Sequence, residues 1–218
     1  MRNFKKFWVA FFFIACNFAN AGSYEDFFHA VTQDDSTQVK KLLVRGFDAN
    51  TPDPAGQTGL HLALSEPSLK SASTLIEWPK TDVNKLNLQG ESALMMAAIK
   101  GHIELAAKLI EKKADVNKTG WTPLHYAASA GHVNIISLLL ENSAYIDAES
   151  PNRTTPLMMA AKYGSSASVT LLLDQDADYG LKNEQGFTAL DFARQGEKPE
   201  AVEAISARMK KKYSSGKW

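Results

Sequence analysis

One six-residue theme returns five times along the 218 residues, and this repetition constrains the fold more than any other feature of the chain. It reads Thr58-Gly-Leu-His-Leu-Ala, Ser92-Ala-Leu-Met-Met-Ala, Thr122-Pro-Leu-His-Tyr-Ala, Thr155-Pro-Leu-Met-Met-Ala and Thr188-Ala-Leu-Asp-Phe-Ala. The successive starts lie 34, 30, 33 and 33 residues apart. A fixed period of this length predicts a stacked array of like units. One such unit cannot bury its own apolar face, so its neighbours must complete the core.

Each residue of the theme has a physical use. Thr122 suits a helix N-cap, where its hydroxyl accepts a free backbone N–H. Pro123 suits the first helical position, where a missing N–H costs nothing. Leu124 and Ala127 fall on one face, and Ala127-Ala128 lets neighbouring helices approach closely. Gly131 ends this short helix in a left-handed conformation, and Gly101 and Gly164 are expected to do the same. A second helix follows in each unit: Val133, Ile136, Leu139 and Leu140 in one, Ile103, Leu109 and Ile110 in another, Val169, Leu172 and Leu173 in a third. Extended segments such as Ala114-Asp-Val-Asn and Ala144-Tyr-Ile-Asp close the units.

The Thr-Pro-Leu-His-x-Ala theme at a period near 33 resembles the ankyrin-repeat family from about Tyr24 to Met209. The resemblance implies an all-α ankyrin-repeat solenoid: stacked helix-turn-helix units joined by β-hairpin finger loops. The expected layout is an N-terminal cap over about 24–53, four full repeats over about 54–183 and a C-terminal cap over about 184–209. Residues 210–218 read as a frayed basic tail. Three departures stand out. Where the family usually has Gly before Ala114, Ala144 and Ala177, this chain has Lys113, Ser143 and Asp176, which would cost about 1 kcal/mol each if positive φ is needed. Ser65-Glu66-Pro67-Ser68 and Trp78-Pro79 make the first full unit the least regular. The finger between Val116 and Trp121 is about three residues short.

Residues 1–21 carry the layout of a secretory signal peptide: basic Arg2, Lys5 and Lys6, an apolar run over Phe7–Ala15, and Ala19-Asn20-Ala21 before Gly22. The apolar run is too short for a membrane-spanning helix. Cleavage after Ala21 is the first reading, leaving 21 basic against 24 acidic residues, a formal charge of −3. An uncleaved anchor and lipidation at Cys16 are the alternatives. Cys16 is the sole cysteine, so the mature chain would have none, which suits an oxidising compartment. The Gram-negative periplasm is the expected location. On a eukaryotic secretory route Asn117 and Asn152 would instead be glycosylation acceptors.

Basic and acidic residues balance at 24 each, so nothing points to nucleic acid. A cysteine-free chain has no disulfide framework and no thiolate metal site. His61 and His125 share one repeat position, and His102 and His132 share another. The pairs Met95-Met96 and Met158-Met159 also coincide. Recurrence at scaffold positions explains these residues structurally, so neither metal nor other cofactor is expected. No nucleophile elbow, phosphate loop or zinc-protease motif occurs, so no catalytic role is expected.

The resemblance places the binding surface on the finger tips and the adjoining helix ends. The tips are Gln57, Glu91, Trp121, Thr154 and Phe187. The helix ends are Ser65, Glu66, Ile99, Lys100, Ser129, Ala130, Lys162 and Tyr163. Trp121, Phe187 and Tyr163 are large aromatics that the core does not use, ringed by Lys100, Lys162, Arg153, Glu91 and Gln57. Such a set fits interface anchors. Trp121, beside the short finger, is expected to be the more exposed ring. The partner implied is another protein, bound by a monomer with no stable membrane insertion after signal cleavage. Exported bacterial ankyrin proteins of this kind act as scaffolds or protective partners of other envelope proteins. The alternative is an immunity-type inhibitor that occludes a toxin or enzyme.

Overall fold

The computed structural model describes residues 22–214, with side chains to residue 211; the expected signal segment lies outside them. The chain divides into two compact units, Met1–Gln89 and Gly90–Trp218. The first holds α1 (22–32), α2 (Ser36–Val44), α3 (Gly59–Ser65) and α4 (Leu69–Glu77). The second holds α5 (Ala93–Lys100), α6 (Ile103–Glu111), α7 (Pro123–Ala130), α8 (Val133–Glu141), α9 (Pro156–Tyr163), α10 (Ser166–Asp174), α11 (Ala189–Gln195) and α12 (Pro199–Ser214). The final helix runs past residue 209, so 210–214 are helical and not a frayed tail.

The core of the first unit is Phe27, Val31, Val39, Leu42, Leu60, Leu64, Leu75 and Ile76, all at most 2% exposed. Phe27 stacks on Phe47 with ring centroids 4.3 Å apart. This ring explains why Gly59 stands where the other repeats have Pro or Ala. A Cβ at Gly59 would lie 2.6 Å from Phe27 Cε1, so the aromatic occupies the space a larger residue needs. The irregular end of this repeat is closed by Trp78, whose extended backbone (φ −68°, ψ 123°) leads into Pro79.

In the second unit α5, α7, α9 and α11 pack side by side, and α6, α8, α10 and α12 form the outer row. Alanines make the close contacts: Ala97, Ala98, Ala127, Ala128, Ala160, Ala161 and Ala193 are at most 1% exposed. The first helices α3, α5, α7, α9 and α11 each begin at the expected Thr or Ser in extended conformation. The third helical residue then turns back to the cap. His61 Nδ1, Met95 Sδ, His125 Nδ1, Met158 Sδ and Asp191 Oδ2 each accept the backbone N–H of their N-cap residue. The first methionine of each pair thus replaces a histidine as capping acceptor, and Met95 and Met158 are buried for that reason.

Lys113, Ser143 and Asp176 have φ of 67°, 66° and 63°, so three non-glycine residues bear the left-handed turn. Gly101 and Gly131 are left-handed as expected. Gly164 is not: its φ is −79°. Ser165, where the other two repeats have His, makes an extended N-cap of its own and redirects the turn. Gly164 is needed for space, since a Cβ there would sit 2.3 Å from the Ala128 carbonyl oxygen.

The fingers are held by side chains more than by strand ladders. Among the described residues β pairing is a single bridge, Pro52 to Thr58. Asp53, Ser150 and Asn183 each donate a backbone N–H to the carbonyl four residues on, and their side chains accept the N–H coming back from Gln57, Thr154 and Phe187. This reciprocal pair closes a loop with no flanking sheet. Within each compact unit, consecutive repeats are laced at the finger base: Asn50 bonds Lys80 O and Asp82 N, and Asn117 bonds Ser143 O and Tyr145 N.

Candidate functional site

The first unit contributes Gln57, half-buried Ser65 and exposed Glu66 to the expected surface; Gln57 is half-buried and its backbone closes the first finger against Asp53. The other candidates lie in the second unit, and the structure sorts them. Trp121 is half-buried, its indole edge-on to His125 with centroids 5.2 Å apart. Phe187, in a full-length finger, is the more exposed ring at 38%. The expectation that the short finger would bare Trp121 is therefore overturned. Its loop lies close to the next finger, with Gly120 within 4 Å of the Pro151 ring if given a Cβ, and the indole turns down onto His125.

Arg153 is not a free cation. Its guanidinium makes two hydrogen bonds of 3.1 Å to Glu149, four residues earlier in the same finger, and the pairing holds the Glu149 carboxyl below its ordinary range. Glu91 accepts the Tyr126 hydroxyl at 3.0 Å. Burial first, and then the Glu91 charge, push the Tyr126 phenol up to about 12. Thr154 is buried at 2%. Burial drives the His125 imidazole down to about 4, so it is a neutral structural group.

Tyr163 is the residue the structure brings forward. It ends α9 and is 56% exposed. The equivalent residues on the flanking helices are Ala130 and Gly196, so the phenol has a methyl on one side and a hydrogen on the other. Gly196 approaches so closely that a Cβ there would lie 2.5 Å from the Lys162 carbonyl oxygen. The Lys162 ammonium lies 5.3 Å from the Tyr163 ring and 5.7 Å from the Phe192 ring, and bonds Gln195 Oε1 at 3.4 Å. Cation–π contacts of this kind restrict a long side chain before binding. Exposed Ile99 and Lys100 end α5 at the corresponding positions. The result is a prominent aromatic within a basic, partly apolar row of helix ends.

Sequence reasoning missed Tyr126, Phe192 and Tyr145. Tyr145 is 69% exposed and stands where other repeats have Asp48, Asp82, Asp115 and Asp178; that aromatic in an acidic column was the signal available. Among the described residues no His, Cys, Asp and Glu cluster is arranged to hold a metal. No helix among them is long and apolar enough to cross a membrane.

Two family models described as ankyrin repeats match residues 60–150 and 139–193, more than half the chain between them. The chain belongs to the ankyrin-repeat family. It is an all-α protein-interaction module of that family. It is 36% identical over 148 residues to the probable 26S proteasome regulatory subunit p28 of Saccharomyces cerevisiae, covering 65% of each chain. It is 33% identical over 110 residues to the mouse ankyrin repeat and SAM domain-containing protein 6, which is 50% of this chain but 9% of that protein. The chain thus spans only a small part of that relative. Among solved structures it resembles the immunity protein in a complex with a predatory endopeptidase from Bdellovibrio bacteriovorus. The TM-score is 0.71 at 29% identity, over 84% of this chain and 97% of that one.

Proposed function

We propose that this ankyrin-repeat module is an immunity-type inhibitor: it catalyses nothing and blocks an enzyme by covering its active site. The observation that supports this over a general scaffold is the likeness to an immunity protein across nearly the whole of both chains. The site is suited to the task. Tyr163 stands clear of its neighbours, Phe187 is exposed beyond it, and Lys100 and Lys162 supply positive charge around them. An exposed aromatic with a rigid basic surround is a strong anchor for a recess on a folded partner.

Export to the periplasm is part of the same proposal and rests on Arg2, Lys5, Lys6, the Phe7–Ala15 run and Ala19-Asn20-Ala21. N-terminal sequencing of the protein recovered from its source cells tests it; a start at Gly22 supports export, and an intact Met1 in the cytoplasm contradicts it. For inhibition, the full chain is used to capture its partner from the source organism, and the partner's hydrolytic activity is assayed free and bound. Loss of activity on binding supports an inhibitor. A partner that stays fully active when bound points to a scaffold or protective partner.

A further inference from the structure

The first unit carries a groove that the finger face does not use. It lies between α2 and α4 and has a volume of about 520 Å3. Lys40, Lys41, Val44 and Arg45 line it from α2 and its cap, with the hydroxyl-bearing Ser36, Thr37 and Thr74. No carboxylate is among them.

The three cations have no ion-pair partner among the described residues, whereas every other described arginine has one. Arg153 pairs with Glu149, Arg194 with Asp191, and Arg208 with Asp174 and Asp176. Arg45 is the one described arginine left out. The nearest acidic residues in sequence are otherwise engaged: the Asp34 carboxylate accepts Ser71 N–H at 2.7 Å, Asp35 accepts Gln38 N–H at 2.9 Å, and Asp48 accepts Asn50 N–H at 2.9 Å. The cations are not needed to cap α2 either, because Arg45, Gly46 and Phe47 N–H groups satisfy the carbonyls of Lys41, Leu43 and Leu42. Lys41 and Arg45 are four residues apart on one helix, a like-charge spacing that weakens the helix. Val44 between them is 68% exposed.

We infer that this groove docks an acidic, extended segment of a partner protein. Its carboxylates meet Lys40, Lys41 and Arg45, the hydroxyls donate to it, and an aliphatic side chain covers Val44. Three cations are fewer than the phosphate contacts that typify nucleic-acid binding, and the chain has no net positive charge to draw a polyanion. An exposed valine at the centre favours a peptide over a phosphate-bearing surface. The inference does not depend on inhibition by the finger face.

The test uses the full chain and a fluorescent Glu-Glu-Leu-Glu-Glu peptide at physiological salt, read by anisotropy. Saturable binding is expected. The triple variant Lys40→Gln, Lys41→Gln, Arg45→Gln should weaken it at least about tenfold. Val44→Asp alone should also weaken it, while Lys210→Gln with Lys211→Gln should not. Thermal unfolding of each variant checks that the fold survives. Absence of saturable binding, or equal loss in the Lys210 and Lys211 control, overturns the inference. So does a triple-sensitive interaction with phosphatidylglycerol vesicles or duplex oligonucleotide in place of the peptide.

Discussion

Nε2 of His125 lies 2.9 Å from the carbonyl oxygen of Thr154, twenty-nine residues further along. Nδ1 of the same ring accepts the Thr122 N–H at 3.2 Å, so Nε2 carries the proton and donates it to Thr154. Methionine and aspartate perform the first task at Met95, Met158 and Asp191. Only histidine has a second nitrogen to tie its repeat to the next finger.

This geometry predicts an acid-sensitive repeat. Burial lowers the folded pKa of His125 from 6.5 to about 4, so the unfolded chain binds the extra proton between those values. The stabilisation is complete above pH 6.5 and is lost as pH falls toward 4, by up to about 3 kcal/mol. His125→Met keeps a capping acceptor and removes the titration. The variant should be about 1–3 kcal/mol less stable at pH 7, because the buried Thr154 carbonyl loses its donor. The gap to the unaltered protein should narrow by pH 4.5. Urea midpoints at the two pH values measure this; a constant gap would mean that the ring titrates normally.

The repeat itself was legible because its signals are local. Capping hydroxyls, first-turn prolines and alanine pairs depend on residues within one turn of each other. The left-handed conformation of Lys113, Ser143 and Asp176 followed from their place in the column. What escaped the sequence depends on neighbours about one period away. Tyr163 was expected to be exposed, but how far it stands out depends on the small Ala130 and Gly196 one period away on either side. Trp121 is turned inward by where its loop lies relative to Pro151, and no linear pattern reports that. Gly164 was misread because Ser165 redirects a turn that His102 and His132 leave left-handed.

Ser143→Gly should stabilise the protein by about 1 kcal/mol, since it relieves a φ of 66° and removes only an exposed hydroxymethyl group. The Ser143 carbonyl would still accept from Asn117 Nδ2. A rise of about 2–4 °C in melting temperature is the expected reading. An unchanged or lowered value would mean that the added freedom of the unfolded glycine offsets the relief.

Close approach of the inner helices gives a prediction of opposite sign. Gly164→Ala needs no backbone strain yet brings a Cβ against the Ala128 carbonyl. Ala127, at 0% exposure, has no room for a larger side chain. Gly164→Ala and Ala127→Leu should each cost about 1–3 kcal/mol. Denaturant unfolding followed by circular dichroism measures both; midpoints equal to the unaltered protein would place these contacts outside the packed interior.

The central claim is inhibition through the Tyr163 face, and titration of the captured partner's activity tests it most directly. Full-length protein should extinguish that activity in proportion to the amount added. Tyr163→Ala combined with Phe187→Ala should require at least about a hundredfold more protein, since burying such anchors is often worth about 2 kcal/mol or more each. Its melting temperature should be nearly unchanged, because both rings are exposed. Activity that persists at saturating full-length protein, or a double variant that inhibits as well as the parent, would contradict the account.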